Sequence, residues 1–180
     1  FPDVLAVRHA NVDEEALWQD VAGVCDAALH NFIAMRAVEG EKLKADVLGR
    51  LAVIEKTVGK IEEGSAQRVE AYTQKLYARL QTILQDQNID QGRILTEAAI
   101  FADKTAVDEE TVRLRSHIAQ YREILETDGP VGRKLDFLTQ ELNRETNTIG
   151  SKCQDLAITR MVVDTKAEIE KIREQIQNIE

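Results

Sequence analysis

Residues 41–64 read EKLKADVLGRLAVIEKTVGKIEEG, and their apolar positions decide the fold class. Val47, Leu51, Ile54, Val58 and Ile61 recur at alternating steps of four and three, the seam of a coiled coil. Outward from this seam a period close to 3.6 continues in both directions, with no sustained two-residue alternation. The expected fold is all-α: a long helical arm or hairpin of coiled-coil type, packed with a smaller bundle of helices. The seam slips at Gly64–Ser65 and resumes through Val69, Tyr72, Leu76, Leu80 and Ile83. A stutter inside one helix and a tight turn between two both fit. The continuous or kinked helix is preferred, because no Pro or turn dipeptide marks a reversal. At roughly 1.5 Å per residue, such an arm extends on the order of 60 Å.

Three regions follow: an entry segment and first helix over 1–40, the arm over 41–87, and a C-terminal helical region over 88–180. Asn11, with Glu14 at N3, suits the start of a helix running to about Val38. Gly40 then marks a kink or break and permits a close helix crossing beside an Arg36–Glu39 pair. Asn88–Ile89–Asp90 reads as a break, followed by a helix over about 91–104. Thr105, with Asp108 at N3, suits the cap of the next helix. Asp128–Gly129–Pro130 reads as a turn that places Pro130 near a helix start, and the helix that follows ends near Gly150. The last helix, about 154–178, carries Ile158, Val162, Ile169, Ile172, Ile176 and Ile179 on a heptad seam that must meet a partner helix. Unpaired seams of this kind imply self-association. The stretch VDEE occurs at 12–15 and 107–110, where acids complement a helix N-terminus.

The formal net charge of −9 excludes a broad basic surface that grips nucleic acid by charge alone. A nucleic-acid site here needs a local basic patch, a further part of the chain, or metal ions held by carboxylates. The apolar runs read as far short of a membrane span, and no signal peptide is visible, so no membrane partner is expected. Cys25 and Cys153 lack CxxC spacing and read as reduced thiols in a cytoplasmic protein. The chain opens on Phe1 within apparently structured sequence, which suggests a fragment of a longer protein.

The most unusual stretch is GRKLDFLTQELNRETNTIGSK, 132–152. Leu135, Leu138, Leu142 and Ile149 fall on one face of its wheel. Arg133, Asp136, Gln140, Asn143, Arg144, Asn147 and Ser151 fall opposite. Glu141 and Glu145 flank the apolar edge beside Lys134. Asn and Thr each cost roughly 0.5 kcal/mol against Ala in a helix, so their density needs a reason. One reason is a ligand: arginines reach phosphates, and amides bond nucleotide edges or sugars. The other is a hydrogen-bonded network between helices or subunits. One helix earlier, Glu110, Arg113, Leu114 and His117 share a side, where His117 suits acid–base work, metal ligation or a plain structural role. His9 and His30 have no comparable company.

The 132–152 stretch, together with EIEKIREQIQNIE at 168–180, FPDVL at 1–5, RAVEGEKL at 36–43 and DEETVRLRSHI at 108–118, resembles the YicC/YloC family of bacterial proteins over essentially the whole chain. The resemblance implies a metal-dependent endoribonuclease, represented here by its C-terminal part without a preceding N-terminal region. It also implies a ring-like homo-oligomer, hexameric in the intact protein, whose helical arms close around RNA. Carried over by motif are Glu97, Glu109, Glu110, Arg113, Leu114 and His117. Over 132–152 the matches are Gly132, Arg133, Leu135, Asp136, Phe137, Gln140, Glu141, Asn143, Arg144, Glu145, Asn147, Thr148, Ser151 and Lys152. Ala106 stands where the family pattern leads us to expect an Asp.

The resulting expectation is hydrolysis of RNA phosphodiesters. Glu110, Asp136, Glu141 and Glu145 would hold Mg²⁺ or Mn²⁺, and His117, Glu110, Glu141 and Glu145 form the expected catalytic group. Arg113, Arg133, Lys134, Gln140, Asn143, Arg144, Asn147 and Lys152 would bind RNA. The alternative is a non-catalytic helical module for oligomerisation or RNA binding, and a third reading is an adaptor whose arm binds other proteins.

Overall fold

The structure, a computed structural model, describes residues 13–84, 91–127, 129–153, 155–177 and 179. Among these, every regular element is a helix: α1 (Glu14–Leu84), α2 (Gln91–Thr105), α3 (Asp108–Leu125), α4 (Gly132–Lys152) and α5 (Leu156–Ile176). The chain divides into two compact units, Phe1–Lys42 and Leu43–Glu180.

In the second unit the seam of residues 41–64 is the core. Val47, Leu51, Ile54, Val58 and Ile61 are all buried, in one cluster with Leu114 and Ile118 of α3, Leu135, Leu142 and Ile149 of α4, and Ile158, Ile169 and Ile172 of α5. Cross-helix pairs set the directions. Lys44 meets Glu126, Glu55 meets Arg122 and Glu62 meets Arg115, so α3 runs antiparallel to α1. Arg50 meets Glu168 and Gly64 lies against Ile158, which together set α5 antiparallel to α1 as well. The predicted seam on the last helix is thus satisfied within the chain, together with the Val47–Ile61 stretch of the seam of α1, whereas Val69, Tyr72, Leu76 and Leu80 are only half-buried.

Gly64 lies inside α1, so the preferred continuous helix holds and the hairpin alternative falls. Other local expectations are corrected. Gly40 does not interrupt the helix, and a Cβ there would meet nothing within 4 Å, so no close crossing needs it. Asp13 caps α1 by accepting from the amides of Glu15 and Ala16. The Asn11 cap and the break at 88–90 lie outside the described residues. Thr105 closes α2 instead of opening α3, its hydroxyl donating to the carbonyl of Phe101. The start of α3 relies on Asp108, Glu109 and Glu110 in its first turn, where acids offset the helix dipole. Gly129 adopts φ 101°, the left-handed turn that glycine permits, and α4 begins beyond Pro130 at Gly132. The last helix is capped by Asp155, which accepts from Ala157 and Ile158.

The first unit differs in kind. Along its part of α1, Leu17, Trp18, Val21, Val24, Leu29, Phe32, Ile33, Met35 and Val38 are exposed. Near its N-terminus α1 has an 18-residue window of mean hydropathy 1.2, none of it buried. The expectation that no apolar run approaches a membrane span does not hold here, for this window is long and apolar enough by length and composition.

Candidate functional site

The site is built on α3 and α4, joined by the short connection around Gly129. Tyr121 contacts Thr139 and Glu110 contacts Lys152, so the two helices run antiparallel. The threonines that looked costly by propensity hold this pairing. Thr139 and Thr146 are buried and donate to the carbonyls of Leu135 and Leu142. Because Thr139 spends its proton there, the Tyr121 hydroxyl donates to Thr139 Oγ1 at 3.1 Å. Burial pushes the Tyr121 phenol up to about 12. Leu135, Leu138, Leu142 and Ile149 are buried as expected.

At the middle of this pair, His117, Glu141 and Glu145 each offer one ligand atom, all within 4.8 Å of one another. Glu145 is only 3% exposed, with Arg113 Nη1 standing 3.6 Å from its Oε1. Arg113 also pairs with Glu109, and Arg144 Nη1 lies 3.5 Å from Glu141 Oε2. The Nδ1 of His117 is buried without a hydrogen-bond partner. A buried carboxylate so loosely paired beside an unsatisfied ring nitrogen is costly unless a cation joins them. These three residues therefore fit a divalent metal ion. One imidazole nitrogen with two carboxylates suits Mn²⁺ better than Mg²⁺, which favours oxygen ligands alone.

The geometry separates the expected metal set. Glu110 lies two turns before His117 on α3, facing the far end of α4, where Lys152 Nζ bonds its Oε1 at 2.7 Å. Lys152 thereby pairs with a buried acid. Asp136 accepts from Gln140 at 2.8 Å and lines a different, open groove of about 780 Å³ with Pro130, Gly132, Arg133 and Ile176. Five residues from Glu141, it points off another side of α4. Ala106 lies in the short connection between α2 and α3, outside the helical residues that carry the cluster.

The expected RNA-binding stripe is at the surface. Arg133, Lys134, Gln140, Arg144 and Asn147 are exposed and Asn143 is half-buried. Its polar groups pair mainly along the helix, Asn147 donating to Asn143 and Gln140 to Asp136. No sealed interhelical network among the described residues accounts for it. One residue given no role in the sequence reading stands out. Phe137 is 59% exposed, and its wheel position, between Arg144 and Glu141 and away from the leucine stripe, was the available signal.

A sequence-family profile described as "Endoribonuclease YicC-like, C-terminal" matches residues 61–180, which include all of α3 and α4. The chain is 45% identical over its whole length to a "Probable endoribonuclease YicC" of Clostridioides difficile and 38% identical to one of Haemophilus influenzae. It spans 62% and 61% of the length of those two relatives.

Proposed function

The chain belongs to the YicC-like endoribonuclease family, and from that premise we propose that it carries the metal-dependent cleavage site of an RNA endonuclease. The observation that carries this reading is the convergence of His117, Glu141 and Glu145, with the buried Nδ1 left unsatisfied. On this reading His117 would serve as a ligand, one of the roles its sequence context allows. His117, Glu141 and Glu145 would hold a divalent ion, which would supply Lewis-acid polarisation of a phosphodiester oxygen and a more acidic water.

The chain's own residues do the rest. Arg113 and Arg144, each beside one of the site carboxylates, present guanidinium groups to a phosphate, which they bind by charge-assisted hydrogen bonds. The charge that develops on the phosphate in the transition state strengthens those bonds. Arg133, Lys134, Gln140 and Asn147 continue this surface along α4 and bind the strand on either side. A metal at the cluster also offsets the net negative charge of the chain locally.

The test is cleavage of an end-labelled structured RNA with Mn²⁺. The double substitution Glu141→Gln with Glu145→Gln abolishes cutting while the helical circular dichroism stays unchanged; full cutting by that variant refutes the assignment. The reading as a helical assembly module is favoured by one observation, the exposed apolar residues of the first unit. On that view the chain self-associates through them into a homo-oligomer, and Phe32→Asp with Ile33→Asp disperses it in sedimentation. The exposed free thiol of Cys25 fits a reducing, cytoplasmic setting.

A further inference from the structure

Beside the cluster, toward the connection between α3 and α4, lies a shallow groove of about 330 Å³ lined by Gln120, Ile124, Arg133, Lys134, Phe137 and Leu138. Phe137 stands in it with most of its ring in solvent. Leaving an aromatic of this size on a polar helix face forgoes a large burial gain. Its neighbours are ordered along the helix. Arg133 and Lys134 precede it by one turn and Glu141 follows by one turn, about 6 Å further along the axis. On α3, Gln120 similarly lies one turn from His117. The groove thus has an aromatic and aliphatic floor, cations at one end and the candidate metal cluster at the other.

We propose that this groove is a base subsite: one unpaired nucleobase of the RNA strand stacks on Phe137, next to the phosphate held at His117, Glu141 and Glu145. Arg133 and Lys134 take the phosphate on the far side of that base, and the Gln120 amide meets its edge. A single-stranded nucleotide matches this chemistry because it joins an apolar ring face to an anionic backbone, and aromatic platforms with basic flanks bind it with little sequence preference. A packed protein helix would call for a wider apolar patch without cations set into it. The position of the base next to the cut bond rests on the function proposed above, whereas binding of the base does not.

The experiment is anisotropy of a fluorescein-labelled single-stranded RNA with the full chain in EDTA, which keeps the strand intact. Phe137→Ala weakens binding by about 5- to 150-fold, the range of one base–aromatic stack, and Phe137→Trp stays within about threefold of wild type. The salt slope is unchanged in Phe137→Ala but flattens by about 0.7 in Arg133→Ala, which loses one phosphate contact. RNA with one abasic position binds wild type more weakly than intact RNA, and Phe137→Ala no longer distinguishes the two. Mn²⁺ uptake by calorimetry is the same in Phe137→Ala and wild type. Equal affinity of Phe137→Ala and wild type for intact RNA overturns the subsite. So does a change in sedimentation with RNA affinity intact, which makes the groove a protein contact. Phe137-dependent binding without Mn²⁺-dependent cutting supports the subsite and refutes the cleavage function alone.

Discussion

Replacing Lys152 with Met tests whether Glu110 is a structural acid. Glu110 is 4% exposed, its Oε1 bonded to Lys152 at 2.7 Å and its Oε2 buried with no partner. Removing one member of a fully buried pair costs about 3–5 kcal/mol, most of it the stranded charge. The Lys152 side chain is 34% exposed, so solvent already screens part of the interaction, and about 2–3 kcal/mol is the figure to expect. For a chain of this size that lowers Tm by about 4–12 °C. Urea unfolding followed by far-UV circular dichroism reads the change as a lower midpoint at constant slope. In a Glu110→Gln background no charge is left to strand, and Lys152→Met then costs under about 1 kcal/mol. Under the proposed function, RNA cutting by the folded fraction persists, because neither residue belongs to the His117–Glu141–Glu145 cluster. A loss below about 0.5 kcal/mol, or the same loss in both backgrounds, refutes the reasoning.

Tyr121 gives a test in alkali. Its folded pKa is raised to about 12 by burial, so above pH 10 the unfolded chain releases a proton that the folded one keeps. Stability from this group is complete below pH 10 and falls by about 2–3 kcal/mol as pH rises to 12. The phenolate absorbance of Tyr121 appears above the ordinary tyrosine range. Glu62 works on the acid side: its carboxyl is held below the usual range first by the hydrogen bond from Arg115. Its contribution is present above the unfolded pKa near 4.5 and is lost as pH falls through the folded value, so Glu62→Gln shallows the acid limb of a stability profile. A Cβ at Gly150 would sit 3.1 Å from Val162 Cγ1, and Gly150→Leu costs about 1–3 kcal/mol by overpacking, partly recovered by Val162→Ala in the same melt. Saturating Mn²⁺, at a hundred times its Kd, adds about 2.7 kcal/mol to wild-type stability, and Glu145→Gln abolishes that shift.

The sequence was most legible where side-chain period and burial coincide. Val47 through Ile61, the leucines of 135–142 and Ile158 through Ile176 were all read from spacing as apolar faces that must be buried, and the structure buries them within the chain. Caps were read less well: Thr105 and Asp13 are both competent hydrogen-bonding side chains, and only backbone direction decides which helix end each one meets. The site was half legible. His117, Glu141 and Glu145 were named, but so were Glu110 and Asp136. Motif resemblance and shared helix faces do not contain the register between two antiparallel helices. That register sends Glu110 to Lys152 and Asp136 to another groove. The threonines of 139 and 146 misled for a related reason, since a buried hydroxyl bonded to its own helix looks polar in sequence and behaves as packing.

His117 and Glu141 are separated by a short stretch of chain that makes a single reversal at Gly129. Bringing such near neighbours together costs little loop-closure entropy, and contacts of low sequence separation form early. The His117–Glu141–Glu145 cluster is therefore a local assembly made by two consecutive helices. Perturbations of α1 should erode overall stability long before they erode the coordination geometry, whereas a one-residue slip between α3 and α4 would dismantle it at once.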